Sequence, residues 1–131
     1  MAYALPALTT LVALLFYFVT IVNVGRARGL HKIDGPAVTG NPDFERVVRV
    51  QANTVEQLVV FLPALWIFAV FGSPAWAAVI GSVWIVGRLV YAIGYYKAAD
   101  KRSPGFGLTV LSTIVLWLGS MWFVMQALLK G

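Results

Sequence analysis

Four apolar runs, each long enough to cross a bilayer, take up nearly the whole chain and leave room for little besides three connections. They lie at about residues 5–28, 42–71, 75–97 and 104–129. In hydrocarbon the backbone must satisfy its own polar groups, and runs of this length do so as helices. The sequence therefore predicts an all-α membrane protein, a four-transmembrane-helix bundle forming one domain over residues 1–131. Composition agrees. Of the 131 residues 60% are hydrophobic and 11% charged, with a mean hydropathy of +0.84, too apolar for a soluble domain of this size. The first run has no basic segment before it and is followed by arginines rather than a small-residue cleavage site, so it reads as a retained span and not a signal peptide.

The breaks between runs carry turn chemistry. Gly29 to Gly40, with His31, Asp34 and Pro36, lacks helical periodicity and reads as a loop. Asn41 followed by Pro42 reads as a cap and first helical residue, and Ser103-Pro104 repeats the pattern. Gly72, Ser73 and Pro74 predict a tight turn. Pro63 should kink the second helix or be relieved by a neighbour. Gly81, Gly87 and Gly94 are small residues that allow close helix packing.

The formal net charge is +5. Its basic residues flank apolar spans instead of forming one solvated stripe, which argues against a nucleic-acid partner. Arg26, Arg28, Lys32, Arg46 and Arg49 surround the first connection and Lys97, Lys101 and Arg102 the third, whereas the second has no charge. The positive-inside rule then makes both basic loops cytoplasmic in a multi-pass integral membrane protein. A chain ending at Gly131 without an extended tail suits a bacterial inner membrane. With no cysteine, any thiol chemistry must use a borrowed thiol. His31 is a lone histidine, and no metal-ligand cluster is expected.

Polar residues inside the runs point to function. Arg46, Arg49, Asn53 and Glu56, at relative spacings 0, 3, 7 and 10, fall within an arc of about 80° on one helix. Arg88, Tyr91 and Tyr95 share a face of the third run, and Arg102 follows it. On one reading these groups converge at the cytoplasmic end as a site for a zwitterionic or multiply anionic ligand. On the other, Arg46, Arg49 and Arg102 snorkel to lipid phosphates while Glu56 pairs with Arg88 to hold helices together. Thr109, Ser112 and Thr113 would satisfy backbone carbonyls or neighbouring helices.

The run from Asn41 to Glu56, with Phe44-Glu-Arg, Arg49-x-Gln-x-Asn53 and Glu56, resembles the signature of the MAPEG family, the membrane-associated proteins of eicosanoid and glutathione metabolism. It is most similar to the branch of leukotriene C4 synthase and type 2 microsomal glutathione transferase. Gly87-Arg-Leu-Val-Tyr91, with Tyr95 and Arg102, is a second match at that branch's spacing. The resemblance implies a homotrimer with sites between subunits. It also implies that Arg49, Asn53, Glu56, Arg88, Tyr91 and Tyr95 bind glutathione, that Arg28 and Gln51 reach it from a neighbouring subunit, and that Arg102 holds the sulfur as a thiolate. Gln57 stands where several enzymes of that branch carry a tyrosine, and Gly29 replaces a second arginine at the end of the first helix. Ser103-Pro-Gly-Phe resembles the non-enzymatic five-lipoxygenase-activating protein, which lacks counterparts of Arg49, Glu56 and Arg102.

The expectation is thus a glutathione-dependent transferase or peroxidase acting on a lipophilic small-molecule substrate, with glutathione as co-substrate, no metal, and membrane lipids as surroundings. Two alternatives of other classes stay open: a small proton-coupled multidrug transporter and a non-catalytic lipid-binding scaffold.

Overall fold

A computed structural model describes residues 1–131 as four long helices. They are α1 (Ala4–His31), α2 (Pro42–Phe71), α3 (Pro74–Lys97) and α4 (Ser103–Lys130), with a short 3-10 turn over Ala99–Arg102 leading into α4. Each is long and apolar enough to span a membrane, and the chain is an integral, multi-pass membrane protein.

Local chemistry sets the ends. Asn41 caps α2, its Oδ1 accepting from the N–H groups of Asp43 at 2.9 Å and Phe44 at 3.2 Å, and Pro42 occupies the first turn. Ser73 caps α3 through the N–H of Trp76. Two expectations change. Residues 29–31 belong to α1 and not to the loop: Lys32 adopts the left-handed conformation and Ile33 N–H bonds back to the Arg28 carbonyl at 3.0 Å, closing the helix three residues later than the apolar run suggests. Ser103 does not cap α4. It is already helical, because the 3-10 turn delivers the chain into the helix without a side-chain cap.

The central pair α2 and α3 pack on each other and on both outer helices, α1 on one flank and α4 on the other. Their shared core is aromatic: the Phe61 and Trp84 rings stack at 4.2 Å, both fully buried, with Leu65 and Leu116 around them. The closest approach is between α3 and α4, where a Cβ on Gly105 would run into the backbone nitrogen of Tyr91 and one on Gly87 would lie 2.9 Å from that of Thr109. Pro63 sits inside an unbroken α2, and the hydroxyl of Ser120 on α4 donates to the carbonyl of the next residue, Ala64, at 2.9 Å. Thr109, Ser112 and Thr113 bond to carbonyls of their own helix as expected. The outer faces are apolar and exposed, including Trp117 and Trp122, as a lipid-facing surface requires.

Candidate functional site

At the end of the bundle carrying the basic residues, α2, α3 and the start of α4 enclose a cleft of about 220 Å³ lined by Arg49, Asn53, Tyr91, Tyr95, Arg102 and Phe106. Helical spacing on α2 stacks Arg49 one turn above Asn53, and on α3 it stacks Tyr95 one turn above Tyr91. The two phenol rings meet edge to face at 5.5 Å. The sharp turn at Ala99–Arg102 folds Arg102 back over α3, so that its guanidinium carbon lies 5.7 Å from the centre of the Tyr95 ring. Nη1 of Arg102 donates to the Ala99 carbonyl, which leaves Nε and Nη2 for other acceptors. Phe106, in the first turns of α4, tilts against Tyr91 with ring centres 6.2 Å apart.

Arg88 lies behind this cleft and is fully buried. It donates from Nη1 to Asn53 Oδ1 and from Nη2 to Thr54 Oγ1, both at 2.8 Å, and its guanidinium sits 4.1 Å from the centre of the Tyr91 ring. Nε has no partner. The ion pair of Arg88 with Glu56, on which the alternative structural reading rests, is absent. The only salt bridge in the chain joins Arg46 to Asp43. The reason is register: Thr54 and Asn53 present a hydroxyl and an amide level with Arg88, whereas Glu56 lies about 4.5 Å deeper than Asn53 along α2. A buried cation is thereby held by neutral dipoles and by the π faces of Tyr91 and, at 6.0 Å, Trp84. Because Asn53 Oδ1 accepts from Arg88, its NH2 group is left to donate into the cleft.

Of the sequence-nominated residues, the structure brings Arg49, Asn53, Tyr91, Tyr95 and Arg102 together with Arg88 behind them. It does not bring in the rest. Glu56 is exposed, on the face of Asn53 but below the cleft floor. Arg46 is tied to Asp43. Arg28 donates to the Ala37 carbonyl and stands over the Phe44 ring, and Gln51 donates to the Tyr17 hydroxyl at 3.4 Å. Within one chain neither Arg46 nor Glu56 lines the cleft.

Two contributors are absent from the sequence reading. Thr54 is fully buried, and its one hydroxyl accepts from Arg88 while donating to the Val50 carbonyl at 2.7 Å. Lying about 100° around the helix from Asn53, it falls outside the polar arc. The available signal was a hydroxyl next to that arc in an otherwise apolar run. Phe106 gave none beyond its place after Pro104. The cleft holds two guanidiniums and no carboxylate, so it attracts anions, and its phenol, amide and guanidinium donors suit carboxylate or thiolate acceptors.

The MAPEG family model matches residues 6–122. An uncharacterized protein of Synechocystis sp. is 53% identical over 88% of this chain and 85% of its own. Microsomal glutathione S-transferase 2 of Homo sapiens is 41% identical over 76% of this chain and 69% of its own, and leukotriene C4 synthase of Cavia porcellus 39% identical over 88% and 75%. With four apolar helices and a match across nearly all of them, the chain belongs to the MAPEG family, in the branch of microsomal glutathione S-transferase 2 and leukotriene C4 synthase.

Proposed function

We propose that the cleft binds glutathione and holds its sulfur as a thiolate for attack on lipophilic electrophiles or lipid hydroperoxides that arrive through the bilayer. The observation carrying this reading is a carboxylate-free cleft with Arg49 and Arg102 in its walls, backed by a buried Arg88 that lacks an acidic partner. Three guanidiniums call for an anionic ligand. Glutathione brings two carboxylates and the thiol this cysteine-free chain lacks, and a relative named as a glutathione transferase favours it over other polyanions.

In this reading Arg49 takes a carboxylate, the Asn53 amide and the Tyr91 and Tyr95 phenols orient the peptide, and the free N–H groups of Arg102 face the sulfur. A thiol of pKa about 8.5 is only a few per cent ionised at neutral pH, so a cation beside it raises the reactive fraction. The thiol proton leaves to water at the mouth. On conjugation the sulfur–carbon bond forms as the leaving group departs with its electron pair. With a hydroperoxide the thiolate attacks oxygen and the O–O bond breaks to release the alcohol. The resulting glutathione sulfenic acid is then reduced by a second glutathione to the disulfide and water.

The residues outside the cleft fit a homotrimer. Exposed Glu56 would meet the ligand's ammonium group at a subunit boundary, and Arg28 and Gln51 would reach a neighbour's cleft. Orientation follows the arginines and lysines, with the basic end cytoplasmic in a bacterial inner membrane. An exporter of organic cations is disfavoured, because its site would be anionic and this cleft is cationic.

Ultraviolet titration of the detergent-solubilised protein with glutathione tests the reading. A saturable thiolate signal is expected, lost in Arg102→Ala and partly restored in Arg102→Lys. Full conjugation by Arg102→Ala at limiting glutathione would remove that residue's role. Absence of saturable glutathione binding would overturn the whole reading in favour of a scaffold or transporter.

A further inference from the structure

Two cavities away from the cleft share Asn23 and Tyr96. The inner one, about 350 Å³, is an apolar groove between α1 and α3 lined by Val12, Phe16, Val19, Leu89 and Ile93 among others. The outer one, about 570 Å³, opens at the basic end of the bundle among Arg26, His31 and Asp43. Tyr95 lines the candidate site and its neighbour Tyr96 lines both of these cavities, so consecutive residues of α3 face different spaces.

Length, polarity and charge together define an occupant. From Val12 to Asn23, α1 rises about 16 Å, the depth of one leaflet of a bilayer whose hydrocarbon core is about 30 Å thick. Polarity changes once along the groove, at Asn23 and Tyr96. There Asn23 Nδ2 donates to the Tyr96 hydroxyl oxygen at 3.2 Å, so the phenol's own proton is free for an acceptor at the depth of lipid esters and phosphates. Above that level Arg26 and His31 have no ion pair. The one carboxylate at the mouth, Asp43, is already engaged by Arg46.

We propose that this groove binds one anionic glycerophospholipid from the leaflet at the basic end of the bundle. One acyl chain lies between α1 and α3, Arg26 holds the phosphate, and His31 and Tyr96 donate hydrogen bonds to the headgroup and ester oxygens. A soluble phosphate would leave the apolar groove unfilled, which is why the commitment is to a lipid. The site is independent of the glutathione reading.

Native mass spectrometry of delipidated protein, supplied with phosphatidylglycerol or phosphatidylcholine, tests it. The expected result is one retained phosphatidylglycerol per chain, favoured at least tenfold over phosphatidylcholine. Arg26→Gln should shrink that preference below threefold, and Leu89→Trp, at an exposed groove position, should abolish retention of both lipids. Ile93→Trp, likewise exposed, serves the same purpose if Leu89→Trp yields no folded protein. The proposal is overturned by unchanged retention in the arginine and groove variants. It is also overturned if glycerol 3-phosphate displaces the lipid at equal concentration, which means a phosphate site without an acyl requirement. A change in oligomeric mass in the groove variants overturns it too, because a second copy of the chain then covers the groove.

Discussion

Thr54→Val removes one hydroxyl and keeps the shape of the side chain, so it isolates the bond that Thr54 accepts from Arg88. In soluble proteins a buried hydrogen bond to a charged group is worth about 1.5–3 kcal/mol. Between membrane helices such bonds average only about 0.6 and reach about 1.7 kcal/mol, because the chain unfolded in lipid also finds partners. Three features place this one at the top of the membrane range. The donor is a guanidinium with 0% exposure, its Nε is already without a partner, and no carboxylate is near enough to take over. The lost bond from Thr54 to Val50 within α2 adds little, since hydroxyls bonded back along their own helix are nearly neutral. The expected loss is therefore about 1.5 kcal/mol, a factor of roughly 10–20 in the ratio of folded to unfolded protein. Unfolding in mixed micelles of rising dodecyl sulfate fraction, followed by far-ultraviolet circular dichroism, measures it. The same substitution in an Arg88→Met background should cost under about 0.5 kcal/mol, because the charge that needed the hydroxyl is gone. Equal losses in both backgrounds, or a loss under about 0.5 kcal/mol in the wild-type background, would refute the assignment.

Other expected outcomes follow from the same geometry. Asn41→Ala deletes the acceptor of two N–H groups at the start of α2 and should cost about 1 kcal/mol in the same unfolding measurement, with the helix fraying towards Arg46. Gly105→Ala should give little or no folded protein by size-exclusion chromatography, because its Cβ meets the α3 backbone at Tyr91, where no side chain can move aside. Arg49→Gln should weaken glutathione binding by roughly ten- to a hundredfold in equilibrium dialysis, the worth of a charge-assisted hydrogen bond of about 1.5–3 kcal/mol, while leaving thermal stability unchanged because Arg49 is exposed and unpaired.

The span boundaries were legible because they follow from desolvation: a bilayer admits only long apolar runs, and Asn41 and Pro42 mark a start that any helix would use. The end of α1 was not, because a helix closed by a left-handed Lys32 leaves no glycine to read. The start of α4 falls within a residue of the expected place, but its cap was misread for a related reason. Ser103-Pro104 has the composition of a cap, but the chain enters from a 3-10 turn that has already set its direction.

The candidate site divides along the same line. Helical period alone placed Arg49 with Asn53 and Arg88 with Tyr91 and Tyr95, since spacing within one helix is fixed by 3.6 residues per turn. Which groups meet across helices depends on their depth and on the approach that Gly87 and Gly105 permit, and neither is written in any one run of sequence. That is why Arg88 faces Thr54 and Asn53 and not Glu56, and why Arg102, remote from Tyr95 by helical spacing, is folded over it by the turn. Apolar run length and charge placement were enough to specify a four-span membrane chain with most of its cationic residues at one end. Helix packing then chose which of those charges share a cleft, because a buried charge is partnered by whatever dipole packing brings level with it.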